Sequence, residues 1–183
     1  MVTPAAPQRY HRFSIAMHWL MVLLLIATAT TMELRGMYPK GTPARELIKS
    51  AHYALGLAVF VLVWVRLMAS LSSTTPAIEP APPAWQSLLG HGAHAGLYVL
   101  MIGLPVLGWL ALSFKGAPVY FPGGIPVPLL TSTNSNTAHW FKEVHEIGAV
   151  VGYGLVALHA AAALVHHYVL RDNTLLRMLP GKR

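Results

Sequence analysis

Ten histidines and no cysteine narrow the chemistry open to this chain. Iron–sulfur clusters need thiolates and c-type haem needs a C-x-x-C-H attachment, so any redox centre must be held by imidazole. Four histidines, His18, His52, His145 and His159, fall inside strongly apolar stretches. An ionisable side chain there is costly and marks a functional site by default. His145 and His159 are 14 residues apart. On a helix that is roughly 1,400°, within about 40° of four full turns, with a rise of about 21 Å. One helix can thus offer a ligand toward each face of a membrane. His18 opens the first apolar stretch and His52 the next, so antiparallel helices pair His18 with His159 and His52 with His145. Two bis-imidazole sites result, suited to two b-type haems. Filling both axial positions favours electron transfer over O₂ binding at iron.

Other residues support these sites less directly. His91 and His94 open the third apolar stretch, where either can replace His159 as a ligand, meet a haem carboxylate or line a substrate pocket. His166, His167 and Tyr168 close the fourth and are candidates for contact with a quinone. His11 and His139 read as surface residues flanking the spans. Gly56 follows His52 by one turn, and Gly148 and Gly152 follow His145. They suit either a flat macrocycle lying against the backbone or close helix packing.

These residues need helices in a bilayer to position them. The chain has 183 residues, 55% hydrophobic and 10% charged, with a mean hydropathy of +0.52. Soluble domains carry about 25% charged residues, so lipid must be part of the solvent. Four stretches reach the roughly 20 apolar residues that a hydrocarbon core requires: 13–32, 46–70, 88–114 and 140–170. We expect an all-α, integral membrane four-helix bundle forming a single domain over residues 1–183. Pro76, Pro80, Pro82 and Pro83 make the connector after the second span extended. The longer connector 115–137 carries Pro118, Pro122, Gly123, Gly124, Pro126 and Pro128, and long ordered loops are often functional. Pro105 is expected to kink the third span. Arg9 and Arg12 before an apolar run ending near Ala27-Thr28-Ala29 have the outline of a signal peptide, but the run is long for one and contains His18-Trp19, so we read it as a span.

The chain carries 13 Lys+Arg against 6 Asp+Glu. The basic residues lie in short runs between apolar stretches, with no aromatic-basic stripe, which speaks for lipid and membrane orientation and against nucleic acid. Four spans put both termini on one side with Arg9, Arg12, Arg66, Arg171, Arg177, Lys182 and Arg183. Arg35, Lys40, Arg45, Lys49, Lys115 and Lys142 fall on the other. Termini on the cytoplasmic side are favoured, because long loops weigh less in the positive-inside rule.

The sequence resembles the bacterial cytochrome b561 family, through Ser14-Ile15-Ala16-Met17-His18-Trp19-Leu20, Met32-Glu33-Leu34-Arg35-Gly36, and His145-Glu146 followed by His159-Ala160-Ala161-Ala162-Ala163. The run His166-His167-Tyr168 to Asp172-Asn173-Thr174-Leu175-Leu176-Arg177-Met178 is similar in particular to the family's short stand-alone members, the superoxide oxidases. The likeness covers nearly the whole chain, with departures in the 115–137 loop and in the Arg35–His52 spacing. It implies a four-helix bundle in the bacterial inner membrane, with two haem b groups on His18, His52, His145 and His159. It further implies oxidation of superoxide to O₂ at the periplasmic face, electrons passing through both haems to ubiquinone, and no required protein partner.

Superoxide is an anion, which gives the basic outer face a role. Lys49 precedes His52 by three residues and Lys142 precedes His145 by three, a spacing that shares a helix face. With Arg35 they are expected to act at the substrate site, as a funnel whose geometry Glu33 and Glu146 fix. Two other functions compete. An electron-transfer subunit serving a dehydrogenase or hydrogenase would need a docking surface. A metal transporter using the same histidines would favour carboxylates near mid-span, and the span centres lack them.

Overall fold

The computed structural model describes residues 9–120 and 124–181. Pro122 and Gly123 of the long connector, and Lys182 and Arg183 of the basic count, lie outside the described residues, as do residues 1–8. Four long helices dominate: α1 (Arg12–Gly36), α2 (Pro43–Leu71), α3 (Ala84–Lys115) and α4 (Ser135–Val165), the last continued by a π turn, His166–Leu170. All four are long and apolar enough to cross a membrane. Their exposed Leu, Ile and Val side chains suit a lipid-facing surface.

The helices begin and end where capping chemistry allows, so they outrun their apolar cores. Thr42 accepts the amide of Arg45 at 3.4 Å ahead of Pro43, the first residue of α2. Asn134 accepts the amide of Thr137 at 3.0 Å, which starts α4 at Ser135 rather than at Trp140. Side-chain caps of this kind satisfy donors that the first helical turn leaves free. Gly116 ends α3 in the left-handed region at φ 69°, as is usual for a glycine C-cap. Pro105 sits inside α3 without ending it.

The described residues of the long connector carry structure that its Pro/Gly content hid. Val119–Tyr120 (β1) pairs antiparallel with Pro126–Val127 (β2). Val119 and Val127 are buried with Leu57 against Tyr53, Trp109 and Leu112. The Trp109 indole donates to the Pro128 carbonyl at 2.9 Å, and the buried Ser113 hydroxyl accepts the Leu130 amide at 3.2 Å. The connector is thus a small plug docked on α2 and α3.

Packing divides the bundle into two hairpins. α1 lies along α2 and α3 along α4, while α2 and α3 join the halves. The buried centre is Met21, Val59 and Val63, with Leu24, Leu25, Leu62, Tyr98, Met101 and Ile102 around them. α1 and α4 scarcely meet, and neither do α2 and α4. At the end that carries both termini the tail folds back. Asn173 donates its amide to the Glu79 carbonyl, accepts the Glu79 amide on Oδ1 and donates from Nδ2 to the Ala77 carbonyl. The Trp19 indole donates to the Met178 carbonyl at 2.8 Å.

Candidate functional site

Histidine pairs span the two seams where helices scarcely touch. His18 of α1 faces His159 of α4 with ring centroids 6.3 Å apart. His52 of α2 faces His145 of α4 at 6.2 Å. The structure therefore brings together the two pairs expected from depth and antiparallel direction. Two metal–imidazole bonds of about 2.0 Å, each extended by about 1.1 Å from ring nitrogen to ring centre, separate opposed imidazole centroids by about 6 Å. Both pairs fit one iron between them. Among the described residues, no three His, Cys, Asp or Glu side chains gather to hold a bare metal ion.

The pair distant from the termini is firmly oriented. His52 donates through Nδ1 to the Thr28 carbonyl at 3.2 Å, with the Thr31 hydroxyl at 3.1 Å. His145 donates through Nδ1 to the Leu104 carbonyl at 2.8 Å. Bonding at Nδ1 fixes the tautomer and turns the Nε2 lone pair toward the partner ring, the arrangement metal-binding histidines use. Gly108, one turn past Leu104, completes the seat: a Cβ there would lie 3.2 Å from His145 Cε1. Sequence reasoning passed over Gly108, because a glycine in an apolar run carries no sign of which ring lies across from it.

The glycines that were singled out divide. A Cβ on Gly148 would come 2.6 Å from Leu104 Cδ2, and one on Gly152 would contact Leu100 and Leu104. Both serve close packing of α4 on α3. Gly56 has open space beside it, with nothing within 4 Å of a Cβ, which leaves room for a flat group next to His52.

The basic residues at the end away from the termini are less free than a funnel of bare charges. Lys49 pairs with Glu46 at 2.7 Å and Lys142 with Glu146 at 2.7 Å, both along their own helices. Glu146 thus holds Lys142 as expected, whereas Lys49 is held by Glu46 rather than by Glu33. Glu33 instead lies in electrostatic range of Tyr153. Arg35 lies within electrostatic range of His52, and its Nε is buried without a hydrogen-bond partner. Arg45 is used structurally, donating to the Arg35 and Tyr38 carbonyls at 2.7 and 2.6 Å.

The pair near the termini has a different neighbourhood. His94 of α3 stands 5.2 Å from His159, too close for an iron between opposed rings and close enough to flank one. His91 is exposed and bonds the Ser87 carbonyl of its own helix. Arg66, which the sequence reading used only for membrane orientation, places its charge within reach of His18, His94 and His159. A charged residue inside a span was the signal available for it. His166 bonds Asp172 at 2.5 Å, in a π turn next to the left-handed Arg171. Hydrogen bonds from His166 and Thr174 outweigh burial, which alone would raise it, and hold the Asp172 carboxyl below the usual range. His167 packs edge-on against Tyr168, which is exposed. His11 caps α1, and His139 meets Glu143 on the surface at 3.6 Å.

Known proteins extend the comparison. A family described as prokaryotic cytochrome b561 matches residues 9–181. Cytochrome b561 homolog 1 of Escherichia coli (strain K12) is 39% identical over 175 residues, covering 96% of this chain and 99% of the relative. The probable superoxide oxidase CybB of Yersinia pestis is 38% identical over 96% of this chain and 98% of its own length. Cytochrome b561 homolog 2 of Escherichia coli (strain K12) is 27% identical over 94% of this chain and 92% of the relative.

Proposed function

This chain belongs to the prokaryotic cytochrome b561 family, and from that premise we propose that it oxidises superoxide on the outer face and reduces a membrane quinone. As a member of that family it is a membrane haem b protein of electron transfer, and an oxidoreductase. In the proposed reaction two superoxide anions each give up one electron and leave as O₂. Those two electrons and two protons convert ubiquinone to the quinol. Two haem b groups, one held by His18 and His159 and one by His52 and His145, supply reversible one-electron chemistry. The observation that carries this reading is the matched span of the two imidazole pairs, 6.3 and 6.2 Å, at opposite ends of one bundle.

The chain's own residues divide the remaining work. Thr28, Thr31 and Leu104 hold the outer imidazoles in orientation. Arg35, with Lys49 and Lys142 held in place by Glu46 and Glu146, draws the superoxide anion to that end. We place the quinone at the termini end near His94, His166, His167 and Tyr168, where His166 Nδ1 and Asp172 Oδ2 lie in hydrogen-bond contact. Both termini then lie in the cytoplasm of a bacterium, and the protein works without a protein partner. The similarity to a relative named a probable superoxide oxidase supports this direction of flow.

The test is a reduced-minus-oxidised visible spectrum with a haem count on the purified chain, followed by quinone reduction driven by superoxide. Two b haems per chain and superoxide-dependent quinol formation are expected. Two haems without reaction, and activity only with an added dehydrogenase, would instead make it an electron-transfer subunit. A chain without haem would remove the reading altogether.

A further inference from the structure

Two guanidiniums come from different parts of the chain to the end of the bundle that holds His18, His94 and His159, where the Trp19 indole beside His18 bonds the carbonyl of Met178, the neighbour of Arg177. Arg66 comes from α2, in electrostatic reach of all three clustered histidines, His18, His94 and His159. Arg177 comes from the folded-back tail and is 6% exposed, with its charge in reach of His94. Its Nη1 donates to the Pro76 carbonyl and its guanidinium lies 5.6 Å from the centre of the Tyr10 ring. Its Nε is buried with no partner.

That arrangement lacks a counter-charge. Among the described residues, neither Arg66 nor Arg177 forms an ion pair. Asp172, the nearest acid in the tail, is committed to His166 and Thr174. Burying the Arg177 charge away from water without a partner is costly, and a buried donor left without an acceptor adds to that cost. The tail is nevertheless strongly held. Asn173 clamps it to Ala77 and Glu79, Tyr10 donates its amide to the Arg177 carbonyl at 3.2 Å, and Arg9 donates to the Leu179 carbonyl at 2.8 Å. A segment bolted down in this way, with a cation at its buried end, is built to meet an anion. A carboxylate on the Nε–Nη edge would supply both the acceptor and the charge.

Resting on the haem reading above, we infer that Arg66 and Arg177 form a seat for the carboxylates of the haem held between His18 and His159, with residues 171–179 as the strap that delivers Arg177. The seat sets that haem's electron affinity. A positive charge beside the iron favours the reduced form, which carries one more electron, and so raises the midpoint potential.

Redox potentiometry of the purified full-length protein tests this, with the spectrum following both haems. Arg177→Gln and Arg66→Gln are each expected to move one of the two components to lower potential and leave the other where it was. Arg177→Lys, which keeps the charge, should move it less. Deleting the residues after Leu170 should act on the same component as Arg177→Gln. If Arg177→Gln does not accumulate in the membrane, Arg66→Gln alone decides. Unshifted midpoints in the glutamine variants with both haems retained would overturn the seat while leaving the haem reading intact. An equal shift in Arg177→Lys and Arg177→Gln would also overturn it, since charge would then not be the cause. A wild-type protein without haem would overturn both.

Discussion

The two histidine pairs span nearly the same distance, yet the molecule holds them by different means. At the outer end each imidazole is fixed by a backbone carbonyl, His52 by Thr28 and His145 by Leu104, and Gly108 makes room for the ring. At the termini end, neither His18 nor His159 makes a hydrogen bond among the described residues. They are surrounded instead by His94, Trp19 and the Arg66 guanidinium, with Arg177 beyond His94. Rings pinned by helix carbonyls depend on contacts within two helix seams. Rings set by charge and stacking depend on the tail and the connector between α2 and α3. The outer pair is thus local in its support, and the inner pair is supported from afar.

Removing ligands should break this comparison most completely. His52→Ala or His145→Ala should cost the outer haem, and His18→Ala or His159→Ala the inner one. Each single variant should fall from two haems per chain toward one, read from the pyridine haemochrome spectrum. Loss of a haem in His94→Ala with retention in His159→Ala would show that the inner pair is wrongly assigned.

A smaller, one-sided effect is expected from the seat of His145. Gly108→Val would press on the ring, and overpacking of this kind costs about 1–3 kcal/mol. The outer component of the spectrum should weaken or shift while the inner one stays. Equal damage to both would mean that the pairs are not independently supported.

Charge at the outer face should matter for rate and leave haem content unchanged. Steering by a cleft of one sign is worth about 10–10³ in association rate, and the Debye length contracts to about 3 Å at 1 M salt. Stopped-flow rates with superoxide should fall as ionic strength rises, and Lys142→Glu or Arg35→Glu should slow them with both haems present. A rate indifferent to salt and to both reversals would remove the outer face from substrate capture.

The mildest test bears on the strap. The Asp172 carboxyl is held below its ordinary value by His166 and Thr174 against the opposing effect of burial. A depressed folded-state pKa stabilises fully above the unfolded value of about 3.9 and is lost as pH falls through the lower folded value. Thermal unfolding followed at the haem band should therefore show an acid-induced loss below about pH 4 that Asp172→Asn abolishes. An unchanged acid limb in that variant would mean that Asp172 does not tie down the tail.

How much of this was legible in the sequence follows from how far each feature reaches along the chain. Helix spans and histidine depth are local quantities, so hydropathy and a rise per residue sufficed to pair His18 with His159 and His52 with His145. Glycine function was not local. Gly148 and Gly152 turned out to face Leu100 and Leu104 across the α3–α4 contact, and Gly108, not singled out, lies against an imidazole 37 positions away. The β1–β2 plug hid inside a Pro/Gly-rich connector whose two paired residues per strand are too few to show alternation. Arg66 and Arg177 read as ordinary basic flanks, because long cationic side chains at helix ends commonly reach for headgroups. Only the folded-back tail brings Arg177 to the end of the bundle where Arg66 and the histidines lie.

One consequence follows from the division into two hairpins. Each imidazole pair takes one ring from the α1–α2 hairpin and one from the α3–α4 hairpin, and both of the second hairpin's rings belong to α4. On the proposed ligation, a nascent chain emerging from the ribosome has no complete iron site until its last span has entered the bilayer. Haem loading is then a late checkpoint in biogenesis: the two hairpins insert first, and the cofactors rivet them together afterwards. A chain truncated within α4 before His145 would present half of each site and retain neither cofactor, marking it as unfinished.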